Sequence, residues 1–307
     1  MSDVSPWGDL ARPPLRAASL RRALVDGLGP WTSIEVLTST GSTNADLAAR
    51  AVSGAAVHGA VLAADHQVAG RGRRERTWTA PPRSSLAVSM LVVPGTGSET
   101  GPETGPGPET GPGPETGPRP VGRARWSWLP LLVGVGVVEA LTDVAGVQAA
   151  LKWPNDVLLN VDGSWGKVCG VLAQVVSTPA GEGVVVGLGL NVNQRADELP
   201  VPTASSLLTA AATTTDRDIV LRAVLRSVGT WVQTWQRHEG DPVASGLGPA
   251  YRRVCRTIGR DVQVQLPSGL VLEGVARAVQ DDGRLLVAPA DGSPARPLAA
   301  GDVVHVR

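Results

Sequence analysis

The segment between residues 95 and 120 repeats GPETGPGPETGP, and it limits how the rest of the chain can fold. Eight prolines stand from Pro94 to Pro120, with no aliphatic side chain between them. Such a segment cannot bury enough apolar surface to offset the entropy of ordering it. Because motifs typical of ordered protein stand on both sides, we predict a disordered insertion (95–120) within one domain. It is expected to leave from a hairpin-like connection and to have no chemical role.

Length and charge limit the classes of protein to which the chain can belong. At 307 residues it suits one large domain with a small satellite, or two domains. Its formal net charge of +0 argues against a general surface for nucleic acid or anionic membranes. The longest apolar stretch, residues 128–141, is too short to span a bilayer, and the N-terminus lacks a signal-peptide core. These features predict a soluble cytoplasmic protein, in which Cys169 is a buried free thiol.

Apolar periodicity divides the chain into a larger and a smaller part. Helices are predicted over residues 15–28, 44–52, 126–144 and 216–238. Strands are predicted over residues 34–37, 59–65, 85–93, 147–153, 157–160, 167–176 and 183–192. From residue 259 short strands alternate with turns, at 262–266, 270–278, 285–288 and 303–306. We therefore expect a disordered tail (1–13), a large domain (14–250) and a small β-barrel (251–307).

A run of arginines between two glycines and a tryptophan, GRGRRERTW, follows the strand at 59–65. The planar forks of arginine suit carboxylates and phosphates. Gly70 and Gly72 are expected to adopt backbone conformations closed to other residues and to let the loop approach a ligand closely. The run predicts a mobile loop that closes on anions, with Gln67 at its base and Trp78 as an apolar lid. A solvated arginine-rich hairpin without function remains the alternative.

Two lysines stand out, because the chain has 28 basic residues and only Lys152 and Lys167 are lysines. Lys152 begins the pentapeptide KWPND, in which Pro154 fixes φ and restricts the residue before it. Lys167 follows in GKVCG, where glycines let a ligand approach the backbone. The structural alternative for KWPND is a strand-ending turn with a buried tryptophan.

Two further segments place polar side chains at strand ends. Ser42-Thr43-Asn44 precedes a predicted helix, where it serves either as an N-cap run or as a set of small groups facing a polar ligand. The segment GLGLNVN ends an apolar strand, and its Asn191 can pair with a heteroaromatic edge. It does not match GxGxxG, and no GxxxxGK[ST] occurs. The four histidines have no metal spacing.

Taken in chain order, STN, QxxGRGRR, KWPND, GKxxGxL and GLGxN resemble the motifs of biotin protein ligases. Each motif is weak to moderate alone, but five in this order are strongly specific. The resemblance runs from about residue 15 to the end of the chain. It implies an α+β fold: a mixed-sheet catalytic domain of the biotin/lipoate ligase, class II synthetase-like type, then an SH3-like β-barrel. The insertion, four extra residues before Lys167, and Gln174 where Glu is common depart from the family pattern.

The resemblance implies activation of biotin with ATP to biotinyl-5′-AMP, then transfer to one lysine of a carrier. The implied acceptor is the biotin carboxyl carrier domain of an acyl-CoA carboxylase, and Mg²⁺ is expected to offset charge on the leaving pyrophosphate. Some members carry an N-terminal helix-turn-helix that makes them repressors. Only about thirteen residues precede the first predicted helix, so repressor function is not expected. We expect a monomer or weak homodimer without nucleic-acid or membrane partners.

Motif matching also assigns residues to the substrates. Ser42, Thr43, Asn44 and Gln67 would hold the ureido head or line its pocket, and Arg71, Gly72 and Arg73 would close over the adenylate. The implied biotin-binding residues are Ser42, Thr43, Asn44, Gln67, Arg71, Gly72, Arg73, Lys167, Gly170, Gly187 and Gly189.

The nucleotide is assigned an overlapping set. Asn191 would contact adenine, and Trp78 would pack over it. Lys167 would bind the biotin carboxylate and the α-phosphate, Arg73 would be the catalytic arginine, and Asp156 would act in the transfer step. The implied ATP- or adenylate-binding residues are Arg71, Arg73, Trp78, Lys152, Lys167 and Asn191, and the implied catalytic residues are Arg73, Lys167 and Asp156.

Three other functions fit parts of the sequence. A lipoate ligase shares the catalytic fold and an adenylate intermediate, but the GRGRR and KWPND pair favours biotin. A non-catalytic biotin or adenylate sensor is expected to lack Arg73 or Lys167, and both are present. A nucleic-acid-binding barrel protein is disfavoured by the neutral charge balance.

Overall fold

A mixed sheet of seven strands organises the larger part of the computed structural model, which describes residues 12–25, 29–95, 120–266, 269–299 and 302–305. Its spatial order is β1-β2-β5-β9-β8-β7-β6, with β1 parallel to β2 and the other neighbours antiparallel. Two short strands, β3 and β4, pair separately. The strands are β1 (Ser33–Leu37), β2 (Ala60–Ala64), β3 (Gly70–Arg71), β4 (Thr77–Trp78), β5 (Ser85–Val92), β6 (Ala149–Lys152), β7 (Asp156–Val161), β8 (Ser164–Thr178) and β9 (Gly181–Asn191).

Helices cover both faces of this sheet because its central strands are apolar on both sides. Val184 and Val186 belong to the larger core cluster, whereas Val185 between them belongs to a second cluster. The second cluster contains α2, and the first contains α3 and α4, so these helices lie on opposite faces. The helices are α1 (Ala17–Leu24), α2 (Thr43–Val52), α3 (Trp128–Ala145), α4 (Arg217–Arg237) and α5 (Leu247–Val254). The predicted helices and strands of this part are present, and α5 was not foreseen.

The apolar helix α3 is a core helix. The helical stretch Arg123–Ala145 has 23 residues and a mean hydropathy of 1.6, so length and composition alone would let it cross a membrane. The predicted apolar stretch, residues 128–141, is only part of this helix, so its length does not by itself exclude a membrane span. Instead, 72% of its apolar window is buried inside the protein, as expected for a helix that is apolar on all sides.

The ends of the predicted insertion adjoin each other. The Val121 N–H donates to the Pro94 carbonyl oxygen at 3.0 Å, so the chain returns to the point where it left. The repeat itself, residues 96–119, lies outside the described residues, as do residues 1–11 of the predicted tail. At Arg12 the prediction of a frayed tail is wrong, because its guanidinium is buried and donates to the Asn193 carbonyl oxygen at 2.8 Å.

The C-terminal part is a five-stranded antiparallel sheet in the order β13-β12-β11-β10-β14. Its strands are β10 (Asp261–Gln265), β11 (Val271–Val279), β12 (Leu285–Pro289), β13 (Arg296–Leu298) and β14 (Asp302–His305). The predicted strands match four of them. The missed strand β13 has three residues, lies at an edge and contains Pro297, so it carries little of the alternation that identifies a strand.

Candidate functional site

Glycines of two neighbouring strands form a flat floor on the sheet face that α2 covers. Gly170 of β8 pairs directly with Gly189 of β9, and Gly187 lies two residues before Gly189 in β9. A Cβ atom on Gly189 would lie 2.5 Å from the Trp78 indole, and one on Gly187 would lie 1.9 Å from the Asn44 side chain. The glycines are therefore needed for close approach, and this chain's own side chains occupy the space above Gly187 and Gly189.

A β-bulge turns Lys167 toward this floor. The pairing of β7 with β8 shifts between Val157 and Leu158, so that Val168 is inserted in the ladder. Both Val168 and Cys169 consequently face the core, and Lys167 shares the glycine face. Its Nζ lies 2.6 Å from the Asp156 carboxylate and 5.7 Å from the centre of the Trp78 ring. Lys167, Asp156 and Trp78 thus form one cluster over the floor.

A polar network closes one end of the floor. The Thr43 N–H and hydroxyl both lie within hydrogen-bond distance of Gln67 Oε1, at 2.8 and 3.0 Å. The Ser89 hydroxyl lies 2.8 Å from Thr43 Oγ1 and 2.6 Å from Asn44 Oδ1, and Asn44 donates to the Leu172 carbonyl. Thr43, Asn44 and Ser89 are buried and Gln67 is half-buried, and their mutual hydrogen bonds fix their orientation beside the N-terminus of α2. Such an arrangement suits recognition of a small polar ligand head.

Ser42 takes the N-cap position of α2 but makes no capping hydrogen bond with its side chain. Its side chain is buried beside the polar network. Simple capping, one of the two interpretations of Ser42-Thr43-Asn44, therefore does not account for its hydroxyl.

The arginine-rich loop is the β3–β4 hairpin, and it reaches the KWPND turn. Arg73 Nη1 lies 3.3 Å from Asn155 Oδ1, whereas Arg71 is exposed. The predicted reason for the glycines is wrong: Gly72 has an ordinary φ of −108°, and Arg74 adopts the left-handed conformation at φ 53°. Gly70 instead permits close approach, because a Cβ atom there would lie 2.4 Å from the Trp78 carbonyl oxygen.

The KWPND turn is anchored at its tryptophan, as the structural alternative supposed. Trp153 is 2% exposed, and its Nε1 donates to the Gly283 carbonyl of the C-terminal sheet. Asn155 exchanges hydrogen bonds with the Val171 backbone. Its side-chain Nδ2 donates to the Val171 carbonyl oxygen, and its own backbone carbonyl oxygen accepts from the Val171 N–H. Lys152 and Asp156 are register partners across the turn, and both are half-buried. The anchored tryptophan therefore presents two oppositely charged groups beside the floor.

Asn191, expected to contact a heteroaromatic base, is held from two sides. Its Nδ2 donates to the Ser205 carbonyl at 3.0 Å, and its Oδ1 accepts from Gln194 at 2.9 Å. The residue is 3% exposed, and its side chain keeps one lone pair of Oδ1 and one N–H of Nδ2 for a ligand. The segment that carries Ser205 also pairs with the backbone of Lys167.

Ser89, Gln194 and Ser205 support the site and were missed in the sequence. Ser89 had a usable signal, because it is a polar residue inside the otherwise apolar strand SLAVSMLV. Gln194 and Ser205 had none, since their partners lie across loops.

The non-basic titratable groups near the floor include Cys169 and Asp156. Burial raises the pKa of the Cys169 thiol to about 12, so this cysteine stays a neutral core residue, as predicted. Among the described residues no group of three His, Cys, Asp or Glu side chains can hold a metal ion. Asp156 is the carboxylate beside the floor, and it is already paired with Lys167.

Comparisons with known proteins identify relatives of the chain. A family model, the biotin protein ligase C-terminal domain, matches residues 257–306. The biotin–[acetyl-CoA-carboxylase] ligase of Mycobacterium tuberculosis is 37% identical over 302 residues, which are 97% of this chain and 98% of that protein. The bifunctional ligase/repressor BirA of Bacillus subtilis is 28% identical over 262 residues, 84% of this chain and 69% of that protein.

A solved structure shares the fold. The biotin protein ligase of Aquifex aeolicus in complex with biotin and ATP has a TM-score of 0.63 and 24% identity, covering 90% of this chain and all of that one. These matches identify the protein as an enzyme, a ligase with a mixed-sheet α+β domain and an SH3-like C-terminal domain. Because the Mycobacterium tuberculosis relative matches over almost its whole length, the chain belongs to the biotin protein ligase family.

Proposed function

We propose that this chain activates biotin with ATP and transfers it to a lysine of a biotin carboxyl carrier domain. In the first step a biotin carboxylate oxygen attacks the α-phosphorus, the bond to the β-phosphate breaks, and pyrophosphate leaves. In the second step the lysine amine attacks the acyl carbon, AMP leaves and a proton is released. The observation that carries the proposal is the cluster of Lys167, Asp156 and Trp78 over the Gly170–Gly189 floor, with a polar network at one end.

The polar network would hold the ureido head of biotin. A ureido group has one carbonyl acceptor and two N–H donors, and Thr43, Asn44, Gln67 and Ser89 supply both kinds of partner. The space beside Gly187 and Gly189 would then lead the valeryl chain toward Lys167. This direction follows from the order of the groups along β9.

Lys167 and Arg73 would offset the charge of the first step. Two like charges about 4 Å apart repel by roughly 4 kcal/mol at an effective dielectric constant near 20. A cation held beside the reacting carboxylate and phosphate reduces that repulsion and stabilises charge as it develops. Because Lys167 is paired with Asp156 at 2.6 Å, an incoming anion would compete with this carboxylate for the ammonium. The displaced Asp156 would then be available to orient the acceptor lysine.

The adenine would lie near Asn191, and movement of Trp78 from the floor would make room for the adenylate. Trp78 Nε1 is buried without a hydrogen-bond partner, which favours a rearrangement that gives it one. Arg71, Gly72 and Lys152 are proposed to act with Arg73 around the phosphates. The adenylate is a mixed anhydride prone to hydrolysis, so a loop that excludes water has a direct purpose.

Mg²⁺ is proposed as a companion of ATP rather than as a resident metal. The described residues hold no cluster of metal ligands, and Asp156 is a single, paired carboxylate. The fit is therefore poor for a protein-bound metal site, and the steps above do not depend on one.

The proposed partner is the carboxyl carrier domain of an acyl-CoA carboxylase, as the name of the Mycobacterium tuberculosis relative suggests. We further propose a cytoplasmic monomer or weak homodimer that acts without nucleic acid or membrane. The two buried free thiols and the burial of α3 support the cytoplasm. The proposed organisation keeps a catalytic domain over residues 14–250 and a C-terminal domain over residues 251–307.

Transfer of labelled biotin to a carboxyl carrier domain, in the presence of ATP and Mg²⁺, tests the proposal. We expect labelling of one acceptor lysine and none with lipoate. Adenylate formation without transfer would indicate a sensor or a wrong acceptor. Activation of neither acid would contradict the proposal.

A further inference from the structure

Thr257 joins the KWPND turn to the last described strand. It is fully buried, and its hydroxyl oxygen lies 3.0 Å from the Trp153 backbone nitrogen and 3.1 Å from His305 Nε2. No motif in the sequence marks this residue, which stands at the start of the C-terminal domain.

The chemistry of the groups fixes the direction of the hydrogen bond to Trp153, and the tautomer of His305 sets the direction of the other. A backbone N–H can only donate, so the Thr257 oxygen accepts from Trp153. The hydroxyl proton is then available for an acceptor, and a neutral imidazole with its proton on Nδ1 offers one at Nε2. Burial and the cations of Lys152, Arg260 and Arg256 lower the pKa of His305 to about 4, so this imidazole is neutral at pH 7.

Two more hydrogen bonds cross the same junction. The Arg256 N–H donates to the Leu151 carbonyl at 2.8 Å, and the Trp153 indole donates to the Gly283 carbonyl at 3.2 Å. The first joins two backbones and the second uses the Gly283 backbone, whereas Thr257 provides the side-chain hydroxyl that holds the Trp153 amide. Its removal leaves a buried N–H without a partner two residues before Asn155.

We propose that Thr257 is a positioning residue for the reaction, holding the KWPND turn so that Asn155 meets Arg73 and Asp156 meets Lys167. This inference rests on the proposed function. Asn155 lies 3.3 Å from Arg73 and Asp156 lies 2.6 Å from Lys167, so a small displacement of the turn alters both contacts. The polar network around Thr43 and Gln67 lies on other elements, and Thr257 does not touch it.

The test compares Thr257→Val, which keeps the shape but loses the hydroxyl, with Thr257→Ser, which keeps the hydroxyl. Biotin-dependent exchange between ATP and labelled pyrophosphate reports the first step. For Thr257→Val we expect kcat to fall at least tenfold while KM for biotin changes less than twofold. Thr257→Ser should recover kcat to within threefold of the wild type. A role that depended only on the volume of the side chain would not predict this recovery. Thr142→Val, which removes a threonine hydroxyl on α3, is the matched control.

Folding is checked by near-ultraviolet circular dichroism at the assay temperature. If Thr257→Val does not fold, Thr257→Ala replaces it, and the kcat of Thr257→Ala is compared with that of Thr257→Ser. Equal kcat in the hydroxyl-free and hydroxyl-bearing variants, with an active wild type, overturns the inference. A wild type without biotin-dependent exchange contradicts the proposed function instead.

Discussion

At the scale of single residues, the site depends on glycines, because the absence of a Cβ atom at these positions leaves room for other side chains. Asn44 and Trp78 fill the space above Gly187 and Gly189, so each glycine specifies the position of a residue far away in the chain. Movement of Trp78 away from Gly189 would leave a smooth surface there, whereas Asn44 stays in the polar network. The glycines thus hold two side chains in place and are proposed to admit a flat substrate.

Gly187→Ala tests this arrangement. The added methyl would lie 1.9 Å from Asn44 Oδ1, so Asn44 must move and lose its contacts with Ser89 and Leu172. We expect a loss of about 1–3 kcal/mol in the free energy of unfolding, measured in urea, and a large loss of biotin affinity, measured by calorimetry. Gly41→Ala, where an added Cβ meets no atom within 4 Å, should leave both unchanged. Unaltered biotin affinity in Gly187→Ala would contradict the proposed binding site.

Both cations are proposed to offset charge in the first step, but loss of Arg73 and loss of Lys167 are expected to differ in their main effect. Arg73→Gly should still form the adenylate but release it, because the loop no longer reaches Asn155. Lys167→Ala should lose adenylate formation itself. Release of labelled adenylate after gel filtration and release of pyrophosphate measure the two effects. Full retention of adenylate by Arg73→Gly, or near-normal pyrophosphate release by Lys167→Ala, would rule out the respective role.

At the scale of elements, the bulge in β8 decides which residues reach the site. In a regular strand Lys167 would share a face with Cys169, which is buried in the core. The extra residue Val168 reverses this order, so Lys167 and Gly170 lie on one face although they are three positions apart.

At the same scale, the insertion after β5 is expected to be dispensable for activity. Its described ends adjoin through the bond between Val121 and Pro94, so a short link can close the same connection. Deletion of residues 96–118 should leave biotin transfer within twofold of the wild type. A matched variant that replaces these residues with a Gly/Ser linker of equal length separates loss of length from loss of sequence. Loss of transfer in both variants would show that the repeat has a role.

At the scale of the whole molecule, one buried ion pair joins distant parts of the chain. Asp65, after β2, lies 2.8 Å from Arg217 at the start of α4 and accepts the Leu15 N–H at 3.1 Å. Arg217 also donates to the Pro13 carbonyl. Both side chains are almost fully buried, so neither can be left alone at low cost.

Asp65→Asn is expected to destabilise the protein by about 3–5 kcal/mol, because Arg217 would remain buried without its carboxylate. The free energy of unfolding in urea measures the loss. Glu35→Gln is the control, since the exposed pair of Glu35 and Arg50 should contribute less than about 1 kcal/mol. Equal losses in the free energy of unfolding for Asp65→Asn and Glu35→Gln would contradict a larger contribution from the buried pair.

His305 links stability to pH across the junction of the two parts. Its pKa is lowered to about 4 by burial and by Lys152, Arg260 and Arg256, whereas an unfolded histidine titrates near 6.5. The unfolded chain therefore binds the proton first, and stability should be lost as pH falls from about 6.5 toward 4. We expect Tm to fall more between pH 7 and pH 5 in the wild type than in His305→Gln. Burial also lowers the pKa of His58, but both proteins share that contribution. Parallel curves of Tm against pH for the wild type and His305→Gln would contradict this role of His305.

Much of the fold was predictable because its signals are local. The Trp128–Ala145 and Arg217–Arg237 helices have long apolar patterns, and Asp216 accepts the Asp218 and Ile219 N–H groups as an N-cap should. Strands with buried apolar runs were found for the same reason. Helix α5 was missed because it is only eight residues long and contains a glycine and a proline.

The sequence by itself determined the family, most of the elements and the motif residues, since motif order and apolar periodicity are readable along one chain. Only the tertiary structure decided which groups meet: Asn44 above Gly187, Asp156 beside Lys167, and Thr257 behind Trp153. These contacts join strands and loops that are distant in sequence, and their geometry depends on pairing register and on a bulge. A one-residue change of register turns a side chain to the other face of a sheet, and local sequence patterns do not encode that choice.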